Sequence, residues 1–113
     1  MSLLFELRIY DIVPGKSKAL QARFRDHTMA LFEKHGIHVV GFWATAHRDG
    51  RDPDAIVYLL AWQNRAAADA AWKAFRADPE WTRIRAETES DGPLVSGFHT
   101  RFMTATDFSP LQG

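Results

Sequence analysis

Residues 38–62, HVVGFWATAHRDGRDPDAIVYLLAW, decide the fold of this chain. Two runs rich in β-branched and aromatic side chains, Val39 to Trp43 and Ile56 to Trp62, flank a polar segment. That segment holds the turn dipeptides Asp49-Gly50 and Asp52-Pro53. The stretch therefore reads as a β-hairpin with strands over 38–46 and 55–62 and a loop longer than the two-residue minimum. On each side of the hairpin lies one further strand pattern and one helical pattern, so the chain reads as two similar halves.

On the N-terminal side, residues 3–13 alternate. Phe5, Leu7 and Ile9 fall on one face and Glu6, Arg8 and Tyr10 on the other, the period of a strand, and Pro14-Gly15 ends it. Residues 17–35 form a helix whose apolar stripe is Leu20, Phe24, His27 and Leu31, with Thr28 and Phe32 at its edge. Gly36 stands where a left-handed cap is expected. On the C-terminal side, Asn64 caps a helix over 65–77 that buries Ala68, Trp72 and Phe75. Asp78-Pro79 starts a short helix over 79–89 anchored by Trp81 and Ile84. A last strand, 94–105, sets Phe98 and Phe102 against His99 and Arg101 on its other face.

The order β-α-β-β-α-β in one domain over residues 1–113 predicts an α+β, ferredoxin-like fold. A four-stranded antiparallel sheet in the order 4-1-3-2 would carry its helices on one face. Both faces of these strands bear large apolar groups, and one layer of helices covers only one of them. A sheet apolar on both sides must be covered on both, and the simplest second cover is another copy of the chain. A two-fold homodimer burying about 800 Å² or more per subunit is the expectation.

Composition narrows the function. Lys plus Arg equals Asp plus Glu at 14 each, so the chain has no net field to attract a phosphate backbone or an anionic membrane. Neither a nucleic-acid nor a membrane partner is expected. Cysteine is absent, which excludes disulfides, thiolate catalysis and cysteine-ligated metal. The opening MSLLFELRIY carries Glu6 and Arg8 within its apolar run, unlike a signal peptide, and a cytoplasmic location is expected.

In its motifs the chain resembles the NIPSNAP family. The resemblance rests on Glu6-Leu7-Arg8-Ile9-Tyr10 followed by Pro14-Gly15-Lys16, on His35-Gly36 leading to Val40-Gly41-Phe42-Trp43, and on Leu59 to Trp62. Asp78-Pro79-Glu80-Trp81 and Phe108-Ser109-Pro110-Leu111 complete it. It implies the dimeric α+β barrel, a superfamily that also holds cofactor-independent monooxygenases, small isomerases and haem-degrading enzymes. It implies no particular reaction.

Among candidate site residues, His27 sits mid-stripe on the first helix, facing the sheet between Phe24 and Leu31. It reads as an acid, base or ligand in a pocket between that helix and the sheet, or as a core histidine bonded to a carbonyl or to Tyr58. Trp43, Tyr58 and Trp62 would line such a pocket around a small apolar or aromatic molecule. Arg8, Tyr10, His99 and Arg101 form a second group, expected together on the side away from the helices, where they would hold an anion or pair with Glu6. His35 and His38 are separated by a helix break and lack further ligands, so no metal and no cofactor is expected. Two functions follow. One is a small-molecule pocket, with oxygenase or isomerase chemistry as its enzymatic form. The other is a non-catalytic scaffold dimer.

Overall fold

A computed structural model describes residues 3–112. Four strands, β1 (Leu4–Ile12), β2 (His38–Ala44), β3 (Ala55–Trp62) and β4 (Val95–Met103), form one antiparallel sheet in the order β2-β3-β1-β4. This is the predicted order read from the other edge. The helices are α1 (Ser17–Arg23), α2 (Met29–Lys34), α3 (Arg65–Ala77) and α4 (Pro79–Thr88). The molecule is a slab 20 Å through, the thickness of one sheet and one layer of helices.

The local signals act as their chemistry requires. Asn64 accepts a hydrogen bond from the Ala67 amide at the start of α3, and Asp78 accepts one from the Glu80 amide at the start of α4. Gly36, at φ +69°, ends the first helix in the left-handed conformation that a side chain resists. The core beneath the helices is aromatic. Phe42 stacks on Tyr58 at 4.7 Å, and Phe24 lies 5.0 Å from Phe42 and 5.6 Å from Tyr58.

Two irregularities change which side chains point inward. In β2, Val39 pairs with Leu60 and Gly41 with Leu59, so Val40 is an unpaired bulge residue. Alternation predicts Val39 and Trp43 on the same face. The bulge instead puts Val39 and Phe42 against the core and leaves Trp43 on the far face, 55% exposed.

The second lies in the first helix, expected to run regularly over 17–35. Between α1 and α2, Phe24–Thr28 forms one π-helical turn, in which the Met29 amide bonds the Phe24 carbonyl five residues back. Each residue of this wider turn advances by less than the about 100° of an α-helix. The stripe is therefore Leu20, Phe24, Thr28, Leu31 and Phe32, all buried. Thr28 takes the inward position predicted for His27, which is rotated to the flank and only half-buried.

The sheet's other face has no cover from these helices. Leu7, Ile9, Val57 and Leu59 stand on it half-buried, with Trp43 beside them.

Candidate functional site

The apparent polar side of β1 is its inner side. Register pairs Arg8 with Thr100, Leu7 with Arg101 and Ile9 with His99. Arg8 and Tyr10 thus face the helices while His99 and Arg101 lie on the opposite face, where His99 approaches Asp11 at 3.7 Å. The expected group of four is split. Parity along the strand decides the matter, and the charges are tolerated inside because each is satisfied there.

Glu6, 2% exposed, supplies that satisfaction. One carboxylate oxygen accepts the indole N–H groups of Trp62 at 3.0 Å and Trp72 at 2.9 Å, and the other accepts from Arg8 at 2.8 Å. Arg8 Nε donates to the Tyr58 hydroxyl at 2.9 Å and Nη2 to the Tyr10 hydroxyl at 3.0 Å, while its guanidinium lies 4.2 Å over the Trp72 ring. Burial by itself would lower the Arg8 pKa. The tyrosine oxygens and Glu6 outweigh it and hold the guanidinium above its ordinary value. Tyr58 is fully buried, which pushes its phenol well above the usual tyrosine range. Its hydroxyl donates to Tyr10 at 2.8 Å.

Above Arg8 and Tyr10 opens a cleft of about 470 Å³ between α3, α4 and the β1–β4 side of the sheet. Trp72, Trp81 and Phe98 supply flat apolar walls, and four arginines (Arg8, Arg23, Arg76 and Arg85) stand against one lining carboxylate, Glu89. Arg23 is 7% exposed, pairs with Glu89 at 3.0 Å and lies 5.3 Å from the Trp81 ring centre. Burial pulls its guanidinium below the ordinary value, and Glu89 opposes that. A small chamber of about 40 Å³, bounded by Tyr10, Arg23, Thr28 and Trp72 among others, lies against the first helix; Tyr10, Arg23 and Trp72 also line the cleft. The Thr28 hydroxyl is buried and has no hydrogen-bond partner.

The remaining predicted residues sit elsewhere. Phe24 walls the chamber, and Leu31 and Trp62 are core, 2% and 4% exposed. Trp43 borders a shallower cleft of about 260 Å³ at the β2 edge, with Phe24, Met29 and Phe42. His27 lines none of these spaces. Sequence reasoning missed Arg23 and Thr28. An arginine one residue before the inward Phe24 was the available signal for the first. The second is invisible until the π turn is seen. Among the described residues no cluster of His, Asp or Glu is placed to hold a metal ion, and no helix is long and apolar enough to cross a membrane.

Comparison with known proteins agrees with this architecture. An uncharacterized NIPSNAP-like domain protein from Burkholderia xenovorans superposes with a TM-score of 0.82 at 19% identity, covering 99% of this chain and 92% of that one. A NIPSNAP family protein of unknown function from Agrobacterium tumefaciens gives 0.81 at 21% identity, covering 97% and 94%. A cofactor-independent oxygenase from Streptomyces nogalater gives 0.59 at 16% identity, covering 98% and 100%. At these identities the likeness is one of fold, the dimeric α+β barrel type. No curated protein matches the chain in sequence. The NIPSNAP family model matches residues 5–110, nearly the full length, and the chain belongs to the NIPSNAP family.

Proposed function

We propose that the protein binds a small, flat, anionic aromatic molecule in the cleft between α3, α4 and the sheet, with its inner end against the first helix. The observation that carries this reading is the lining: aromatic walls combined with four arginines against two carboxylates, Glu89 in the lining and Glu6 behind Arg8. Flat walls suit a planar ring, and the excess of guanidinium over carboxylate favours a negative group on it. A pocket next to His27 has less support, since the space between Phe24, Phe42 and Tyr58 is filled by ring contacts.

Titrating 2-naphthoate into the protein, followed by tryptophan fluorescence, tests the proposal. Saturable quenching is expected, weakened about tenfold by Trp81→Ala, since a stacked aromatic wall is worth roughly 1–1.5 kcal/mol. Unaltered binding in Trp81→Ala, or none in the wild type, removes the reading.

A second reading, a cofactor-independent oxygenase, draws on the fold likeness to the Streptomyces enzyme. Oxygen uptake with 1,4-dihydroxynaphthalene above its autoxidation rate is the corresponding assay. The same molecule is read as a two-fold homodimer, its sheets face to face. The uncovered apolar side of β1 and β3 supports that arrangement.

A further inference from the structure

We propose that the hydroxyls of Tyr10 and Thr28 together bind one anionic oxygen of the ligand, the oxygen of a ring phenolate, enolate or carboxylate, in the chamber at the inner end of the cleft. This rests on the reading of the cleft as a ligand site and specifies which atom of the ligand goes innermost.

A phenol has one O–H to donate. Arg8 donates to both tyrosine oxygens, at 2.9 Å to Tyr58 and 3.0 Å to Tyr10, so neither phenol can return its proton to the guanidinium. The two oxygens lie 2.8 Å apart, close enough for one O–H···O bond between them. One phenolic proton of the pair is used in that bond and the other is left over. Tyr58 is fully buried with no further acceptor, so a proton left there would be stranded at the cost of an unmade buried hydrogen bond. Tyr58 therefore donates to Tyr10, and the spare proton belongs to Tyr10, the only one of the two that lines the cleft and the chamber.

Thr28 supplies the second donor by an independent route. A threonine inside an α-helix ordinarily bonds the carbonyl four residues back. In the π turn the Thr28 hydroxyl makes no such bond and is left without a partner at 3% exposure. It borders the same chamber as Tyr10, whose about 40 Å³ suits a single oxygen-sized group. Arg23, also a wall of the chamber, adds positive charge close by. An acceptor oxygen bearing negative charge answers all three. Arg8 is a positioning residue here: by donating to Glu6 and to both tyrosine oxygens it fixes where the Tyr10 proton points.

The test uses 4-nitrophenol, whose phenolate is read by its yellow absorbance. With the protein in excess, the ionisation midpoint of bound 4-nitrophenol is expected to fall by about one pH unit or more below that of free 4-nitrophenol. Tyr10→Phe keeps the ring and removes the proton. It should lose most of that shift and weaken phenolate binding about tenfold, with melting temperature and near-ultraviolet circular dichroism checking that the fold is kept. Thr28→Val should lose a smaller part and serves on its own if Tyr10→Phe does not fold. Saturable binding with an unmoved midpoint, or a midpoint shift unaffected in both variants, overturns this proposal and leaves the cleft as a ligand site. Absence of saturable binding of both 4-nitrophenol and 2-naphthoate to the wild type overturns the two together.

Discussion

Glu6 and Arg8, two residues apart on β1, close a 2.8 Å ion pair on the inner side of the strand, at 2% and 13% exposure. The pair is the hub of the site, since both indoles that meet it and both tyrosines that flank it take their orientation from these two charges.

Removing half of it should therefore be costly. Glu6→Ala strands a guanidinium and two indole N–H groups in the interior, and a loss of about 3–5 kcal/mol is expected from urea unfolding. Glu6→Gln keeps an acceptor for the indoles and should lose about 1–3 kcal/mol. In a double-mutant cycle with Arg8→Met, the second substitution should cost less on the Glu6→Ala background than alone. Additive losses would show that the two charges are not coupled.

Asp78 sets a different test, in pH. Its carboxylate accepts from Lys34 at 2.7 Å and His35 at 2.8 Å and from the Glu80 amide, and these hold its pKa well below the ordinary 3.8. A depressed folded pKa means that the unfolded chain takes up the proton first. The stabilisation is thus complete above the unfolded value and is lost as the pH falls from there toward the folded one. Melting temperature should drop on acidification below about pH 4, and Asp78→Asn, already lacking the charge, should show a shallower drop. Parallel curves for the two proteins would detach this carboxylate from the acid response.

The proposed dimer makes a prediction about mass. The subunit is 12.8 kDa, and light scattering at micromolar concentration should give twice that. Trp43→Ser combined with Leu59→Asp puts a charge in the middle of the uncovered face, and should yield monomers whose far-ultraviolet circular dichroism is unchanged. A monomeric wild type would contradict the assembly.

The sheet order, the caps at Asn64 and Asp78, and the burial of Trp72, Phe75 and Ile84 were legible because each rests on a local rule: a strand period, a side-chain oxygen near free amides, an apolar stripe. The site was legible in its parts but not in its arrangement. Arg8 and Tyr10 read as outward because charge on one face of an alternating strand usually marks the wet side, and only the Glu6 carboxylate with its two indole donors reverses that. Trp43 and His27 were misplaced by single-residue irregularities, the bulge at Val40 and the π turn. The bulge has one local signal, Gly41 directly after it in the strand, while the π turn, with Arg25 and Asp26 on its outer side, reads like any exposed helical turn.

The wide turn at Phe24–Thr28 has an evolutionary consequence. A π turn is an α-helix holding one residue more than it needs. Excising a solvent-side position such as Asp26 would restore ordinary winding and still leave Leu31 and Phe32 facing the sheet. The scaffold would survive and the recess next to Thr28 would lose its shape. The binding proposed for the cleft would then be separable from folding by the loss of a single codon.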